Sequence, residues 1–266
     1  MFLSKPLFVQ VLLTILLLFH QSASLTLAQS ADENAPLVPA VIVFGDSIAD
    51  PGNNNAIKTI VKCNFPPYGL DFAGHKPTGR FCNGKIPSDF LASKLGVKGL
   101  LPAYLDSNLE PQDLLTGVSF ASGGAGYDPL TSKTSHVISM NDQLELYKEY
   151  QGKLRTIAGE RRAENIISKG LHIVCVGSDD IANNYFITPL RKTHYDIPSY
   201  ANLVVSYASS FFEFSPATIM RGSRVSSAIV TAPMRASSPD HEILQYGYNS
   251  VFSHELLQDR LWFLHL

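Results

Sequence analysis

The sequence predicts an α/β fold, with helices on both faces of a parallel, doubly wound sheet, and three observations predict it. Short continuous apolar runs stop at polar turns. Ala40-Val41-Ile42-Val43-Phe44 stops at Gly45-Asp46-Ser47, and residues 171–176 stop at Gly177-Ser178-Asp179-Asp180. Runs of this kind suit strands buried on both faces. Segments with helical spacing separate them. Three polar or glycine-rich clusters, 45–55, 122–126 and 177–184, fall at or near strand ends. Ligands of such sheets sit beyond the carboxyl ends of the strands.

The elements follow in order. Lys5 precedes an apolar run from Leu7 to Phe19, too short to span a bilayer, which needs about 20 residues. A basic start, a short apolar middle and small residues after it read as a secretory signal peptide over 1–28. Thr26 and Ala28 suit the positions before the cut, and Gln29 begins the mature chain. One domain over 29–266 is expected to follow, secreted and extracellular, with no integral membrane segment. The first strand spans 40–44. Residues 50–55 and 64–84 are long loops, which in compact domains are often functional. Helices are expected at 87–95, at about 141–155 and at about 198–213, with a glycine-rich turn at 122–126. The second strand spans 171–176. A weaker strand candidate covers 225–230. A last helix is expected over 239–264, with Ser238 as cap and Pro239 at its first position.

Composition agrees with one globular domain. The 266 residues are 45% hydrophobic and 17% charged, which excludes a disordered tail, a collagen-like rod and a coiled coil. The net charge of −2 leaves no basic surplus to attract nucleic acid or an anionic membrane. No Asn-x-Ser/Thr acceptor occurs, so N-glycosylation is not expected. Three cysteines remain after the signal peptide. Cys63 and Cys82 flank a Pro/Gly-rich loop and could pair in an oxidising compartment, while Cys175 reads as a buried small hydrophobe. No Cys/His cluster has metal-ligand spacing, and no metal or organic cofactor is expected.

A serine just past a strand can expose its hydroxyl and aim its own N–H at a bound oxyanion. Gly-Asp-Ser alone carries little weight, since a tight turn with a capping serine has the same sequence. The surrounding text carries more. Phe44-Gly45-Asp46-Ser47-Ile48-Ala49-Asp50-Pro51-Gly52-Asn53-Asn54-Asn55 resembles the first block of the plant GDSL esterase/lipases of the SGNH hydrolase superfamily. Phe65-Pro66-Pro67-Tyr68-Gly69 and Pro77-Thr78-Gly79-Arg80-Phe81-Cys82-Asn83-Gly84-Lys85 continue it. Leu101-Pro102-Ala103-Tyr104-Leu105, Gly117 to Gly126, and Gly177-Ser178-Asp179-Asp180-Ile181-Ala182-Asn183-Asn184-Tyr185-Phe186 follow in the family's order. These segments look most like the extracellular-lipase subgroup and cover about 40–213.

The resemblance implies a three-layer αβα sandwich with a flavodoxin-like parallel sheet, incomplete at its C-terminal end. It implies hydrolysis of a small-molecule or lipid acyl ester. Ser47 matches the nucleophile. The oxyanion-hole glycine corresponds to Gly123 or Gly124, and we assign Gly124. The family's third block usually supplies an Asn donor, but here that position is Asp179. An ionised carboxylate only accepts hydrogen bonds, so a burial-raised pKa would be needed to make it a donor. Losing one oxyanion donor costs about a hundred- to a thousand-fold in turnover.

The family also carries an Asp-x-x-His block, which this chain lacks. Asp240-His241 are adjacent, and His254 and His265 follow without that spacing. The catalytic Asp and His are therefore not assigned, and His241 and His254 read as solvent-facing residues of a terminal helix. Loss of the base from a serine hydrolase triad costs on the order of a million-fold. Two readings result: a secreted serine esterase acting through Ser47, or a truncated, impaired module that binds acyl ligands without turnover. His172 reads as packed within a strand, and His75, His136 and His194 lie in loops without a motif. Asp50, Asn53 and Asn55 read as loop supports by Asx-turn bonding. Arg80 reads as a surface turn residue that could meet a carboxylate.

Overall fold

The structure is a computed structural model that describes residues 36–72 and 74–214. Strand β1, Val41–Gly45, is buried at all five positions. It pairs in parallel with β2, Leu171–Cys175, from Val41↔Leu171 to Gly45↔Cys175. On its other edge β1 meets the segment 116–122. Val41 N donates to Thr116 O, Val43 N to Val118 O, Phe120 N to Val43 O and Ser122 N to Gly45 O. Ser119 in turn bridges Ala103 in parallel. The ribbons therefore run 102–104, 116–122, β1, β2.

Helices cover both faces. Pro at the first position starts α1 (Pro87–Lys94), and Asp89 accepts the Ile86 N–H at 2.9 Å. Ala92 of α1 packs with Val41, Val43, Ile173 and Cys175 on one face of the sheet. Two short helices follow, α2 (Pro111–Leu114) and α3 (Pro129–Ser135). Ser139 and Asp142 form a capping box at the start of α4 (Met140–Ala158). Its buried positions Met140, Gln143, Leu144, Tyr147, Tyr150, Gln151 and Leu154 recur every three or four residues. That stripe lies on the opposite sheet face with Ile42, Phe44, Phe120 and Val174. Helices α5 (Glu160–Lys169) and α6 (Ile197–Phe214) complete that layer through Ile166 and Phe211. Phe44 stacks on Phe120 at 5.3 Å and meets Tyr147 edge-on at 5.4 Å.

The anticipated strands at 40–44 and 171–176, and the helices at 87–95, 141–155 and 198–213, are all present to within a few residues. The segment 116–122 was not anticipated as sheet, because Gly117, Ser119 and Ser122 interrupt its apolar pattern. Helix α5 was also not anticipated, because only Ala163, Ile166 and Ile167 of its ten residues are buried. The signal peptide, the strand at 225–230 and the helix at 239–264 lie outside the described residues.

Two expectations are corrected. Arg80 is not a surface residue: it is 6% exposed and grips Asp89 with Nε to Oδ2 at 2.8 Å and Nη2 to Oδ1 at 2.9 Å. Asp89 also accepts the N–H groups of Ile86 and Leu101, so the buried pair closes the 64–84 loop onto α1. Cys63 and Cys82 do not pair; both are free thiols. Cys175 is buried in β2, as anticipated, and burial pushes its thiol up to about 12.

Candidate active site

Gly45 ends β1 where only glycine fits. Its φ is +148°, and a Cβ there would stand 2.0 Å from the Cys175 carbonyl oxygen. Gln143 of α4 locks the same residue: Oε1 accepts the Gly45 N–H and Nε2 donates to the Gly45 carbonyl, both at 2.9 Å. Gln143 is fully buried within the apolar stripe of α4, and the sequence reading missed this clamp. Ser47 follows two residues later and is half-buried.

The turn around Ser47 is held by two buried carboxyls. Asp46 accepts the Ile48 N–H on Oδ1 at 3.0 Å and the Ser178 hydroxyl on Oδ2 at 2.9 Å. It thereby joins the end of β1 to the turn that follows β2. Asp50 accepts the N–H groups of Gly52 and Asn53 on Oδ1, each at 2.7 Å, and that of Gly123 on Oδ2 at 3.0 Å. It joins the Ser47 loop to the glycine-rich turn. Burial pushes both carboxyls up to about 6, against the N–H and hydroxyl donors that favour the anion.

Asn53 and Asn54 do more than shape their own turn. Asn53 Nδ2 donates to the carbonyls of Ser119 and Ala121, and its Oδ1 accepts the Leu105 N–H. Asn54 Nδ2 donates to Val61 O and Gly123 O, and its Oδ1 accepts the Ser122 hydroxyl. Asn55 stays exposed and bonds Thr78 O.

The glycine-rich turn is clasped at both ends. Asp50 holds Gly123 at one end. At the other, Asp180 accepts the N–H groups of Tyr127 at 2.8 Å and Asp128 at 3.1 Å, together with the Thr131 hydroxyl. Gly124 between them is buried with φ +89°, a conformation that favours glycine. Asp180 opens a single π-helical segment, Asp180–Ile187, a form often found at functional sites. Burial, then the charge of Asp128, pushes Asp180 up to about 7. Asp128 itself is held below the usual carboxylate range, against its burial, by the Arg191 guanidinium and by the Leu130 N–H and Tyr200 hydroxyl that it accepts.

Asp179 precedes that helix. Its Oδ1 accepts Asn183 Nδ2 at 2.9 Å, and its buried Oδ2 has no hydrogen-bond partner. Burial, then the charge of Asp46, pushes Asp179 up to about 7, while the Asn183 amide and the neighbouring Gly124 N–H act in the opposite direction. Asp179 and Gly124 therefore lie together, and their chain neighbours Ser178 and Gly123 are tied by Asp46 and Asp50 to the turn that carries Ser47.

The described histidines are disposed differently. His172 is packed: Nε2 meets the Tyr147 hydroxyl at 2.9 Å, and burial lowers its pKa to about 4. His75, His136 and His194 are exposed. His241 and His254 lie outside the described residues. A groove of about 450 Å³ between Ile57, Leu105, Val137 and Leu146 is lined by none of Ser47, Gly124 or Asp179. No helix among the described residues is long and apolar enough to cross a membrane.

Residues 41–250 match the GDSL-like Lipase/Acylhydrolase family. The chain is 53% identical over 175 residues to GDSL esterase/lipase EXL3 of Arabidopsis thaliana, covering 66% of this chain and 48% of that protein. It is 46% identical over 211 residues to GDSL esterase/lipase EXL2 of the same plant, covering 74% and 55%. The chain thus spans about half the length of the curated relatives it matches. With the matched region extending over most of its length, this chain belongs to the GDSL-like lipase/acylhydrolase family.

Proposed function

We propose that this protein is a secreted hydrolase of carboxylic acyl esters that works through Ser47. The carrying observation is the way Asp46 and Asp50 bind three segments, 45–55, 122–126 and 177–180, around a half-buried serine at the end of β1. Ser47 Oγ attacks the acyl carbon, and the N–H groups of Ser47 and Gly124 take the oxyanion. Collapse expels the alcohol and leaves an acyl-enzyme, which water releases as the acid. The Ser47 proton passes to a base and then to the leaving alcohol. His172 is unsuited to that role, since it is buried against Tyr147.

A second reading, ligand binding without turnover, is favoured by Asp179, which as an anion repels a developing oxyanion. One experiment separates the two. The esterase reading predicts fluorophosphonate labelling and p-nitrophenyl butyrate hydrolysis in the wild type, both lost in Ser47→Ala. The binding reading predicts neither activity, with a fluorescent acyl ester still retained by both proteins. Equal labelling of wild type and Ser47→Ala overturns the role of Ser47. Secretion predicts that protein recovered from the medium of expressing plant cells begins at Gln29; recovery only inside the cells contradicts it.

A further inference from the structure

The chain's net charge of −2 conceals an uneven distribution. Three segments contain no acidic residue at all: 51–70, 129–141 and 181–195. All 23 acidic side chains fall outside them, while Lys58, Lys62, Lys133 and Lys192 fall inside. Hydrogen bonds join the three. Thr59 Oγ1 donates to the Ser135 carbonyl at 2.9 Å, and Asn184 Nδ2 donates to Thr131 Oγ1 at 2.6 Å, so both flanking segments are fastened to α3. They form one rim, and it adjoins the glycine-rich turn. A Cβ on Gly124 would stand 3.3 Å from Ser135 Cβ and 3.6 Å from Val137 Cγ1.

The rim also carries apolar side chains that the fold does not use. Ile60 is 98% exposed, Ile187 71% and Phe186 54%, and Leu190 is exposed beside them in the chain. One such side chain would need no explanation, but several on joined segments mark an interaction surface. The acidic residues at its border are already engaged. Asp128 grips Arg191, Asp142 accepts the Ser139 hydroxyl, Glu145 meets Lys148 at 2.6 Å and Asp196 accepts the Ser199 N–H. A nucleic acid would use the lysines and leave the apolar side chains in water, whereas an anionic lipid surface uses both.

We infer that this rim docks on an anionic lipid surface, with Ile60, Phe186, Ile187 and Leu190 entering the headgroup layer and the four lysines meeting lipid phosphates and carboxylates. The docking requires no role for Ser47. Where it rests on the esterase reading, it names the substrate class: acyl esters carried in an anionic lipid surface and presented beside Gly124.

The test is sedimentation of the full chain with vesicles of phosphatidylcholine, alone or mixed with phosphatidylserine. The wild type should bind the mixed vesicles, bind the plain ones more weakly, and lose affinity as salt is added. Lys58→Glu with Lys192→Glu should weaken binding to mixed vesicles by at least about 25-fold, at roughly fivefold per lysine lost. Ile60→Ser with Ile187→Ser should weaken binding to both kinds by roughly ten-fold or more. Ile157→Ser with Arg162→Glu, exposed on α4 and α5, should change nothing. Ser47→Ala should bind as the wild type does. Equal binding by the wild type and both rim variants overturns the proposal and places attachment in a feature they share, such as the apolar run from Leu7 to Phe19. A wild type that ignores mixed vesicles also overturns it; if that protein is a dimer that the rim substitutions break, the rim belongs to a second copy. Vesicle binding without release of acid from a vesicle-borne ester keeps the docking and overturns only the esterase reading.

Discussion

The loops that follow β1 and β2 begin alike, with Gly45-Asp46-Ser47 in one and Gly177-Ser178-Asp179 in the other, but they are finished differently. In the first, Asp46, Asp50, Asn53 and Asn54 each have partners on both side-chain polar atoms. In the second, Asp179 Oδ2 and Asn184 Oδ1 are buried without a partner. A satisfied buried network is rigid, while an unsatisfied one carries a cost that a ligand can relieve. The first loop is built to hold a serine in one place. The second leaves two buried oxygens without partners, one of them, Asp179 Oδ2, beside the glycine-rich turn.

Substitutions can break this contrast. Gly45→Ala should be the most damaging, because its Cβ would meet the Cys175 carbonyl at 2.0 Å; we expect a loss of more than about 4 kcal/mol in denaturant unfolding, or no soluble protein. Arg80→Ala should cost about 3–5 kcal/mol in the same assay, since it leaves Asp89 buried and unpaired. Asp50→Ala frees the N–H groups of Gly52, Asn53 and Gly123 and should cost about 3 kcal/mol. Asp179→Asn, on the unfinished loop, should change stability by less than about 1 kcal/mol, because it removes a carboxyl whose charge burial disfavours and keeps the Asn183 contact. An Asp179→Asn variant as unstable as Asp50→Ala would erase the distinction between the loops.

The pH dependence of stability sharpens the same comparison. Asp46, Asp50, Asp179 and Asp180 all have folded pKa values raised from 3.8 to about 6 or 7. Between those values the folded state binds more protons than the unfolded one. Their contribution is therefore fully present below about pH 4 and lost as pH rises through 6 to 7. His172, lowered to about 4, acts oppositely and loses stability as pH falls below 6.5. Four carboxyls outweigh one imidazole, so the melting temperature should fall between about pH 5 and about pH 8. A flat or rising melting temperature over that range would mean that the carboxyls are ionised without cost.

Much of the fold was legible because β1, β2, α1, α4 and α6 carry their own signals: unbroken apolar runs, a proline start, a capping box and an apolar stripe. The segment 116–122 was hidden because its glycine and serines pack against the β1 backbone, and a Cβ at Gly117 would stand 2.0 Å from Val41 O. Ser47, Gly124 and Asp179 could be singled out from motifs, but their supports could not. Gln143 grips a residue 98 positions away, Asp50 one 73 away, and Asp180 residues about 50 away. Local patterns do not encode such pairings, and the closing of Arg80 on Asp89 depends on the loop folding over α1.

The measurement closest to the central claim is the mass of the intact chain, and of its peptides, after exposure to a fluorophosphonate. The account predicts one adduct, on the peptide containing Ser47, and none in Ser47→Ala. An adduct on any other residue, or equal mass shifts in the two proteins, would contradict it.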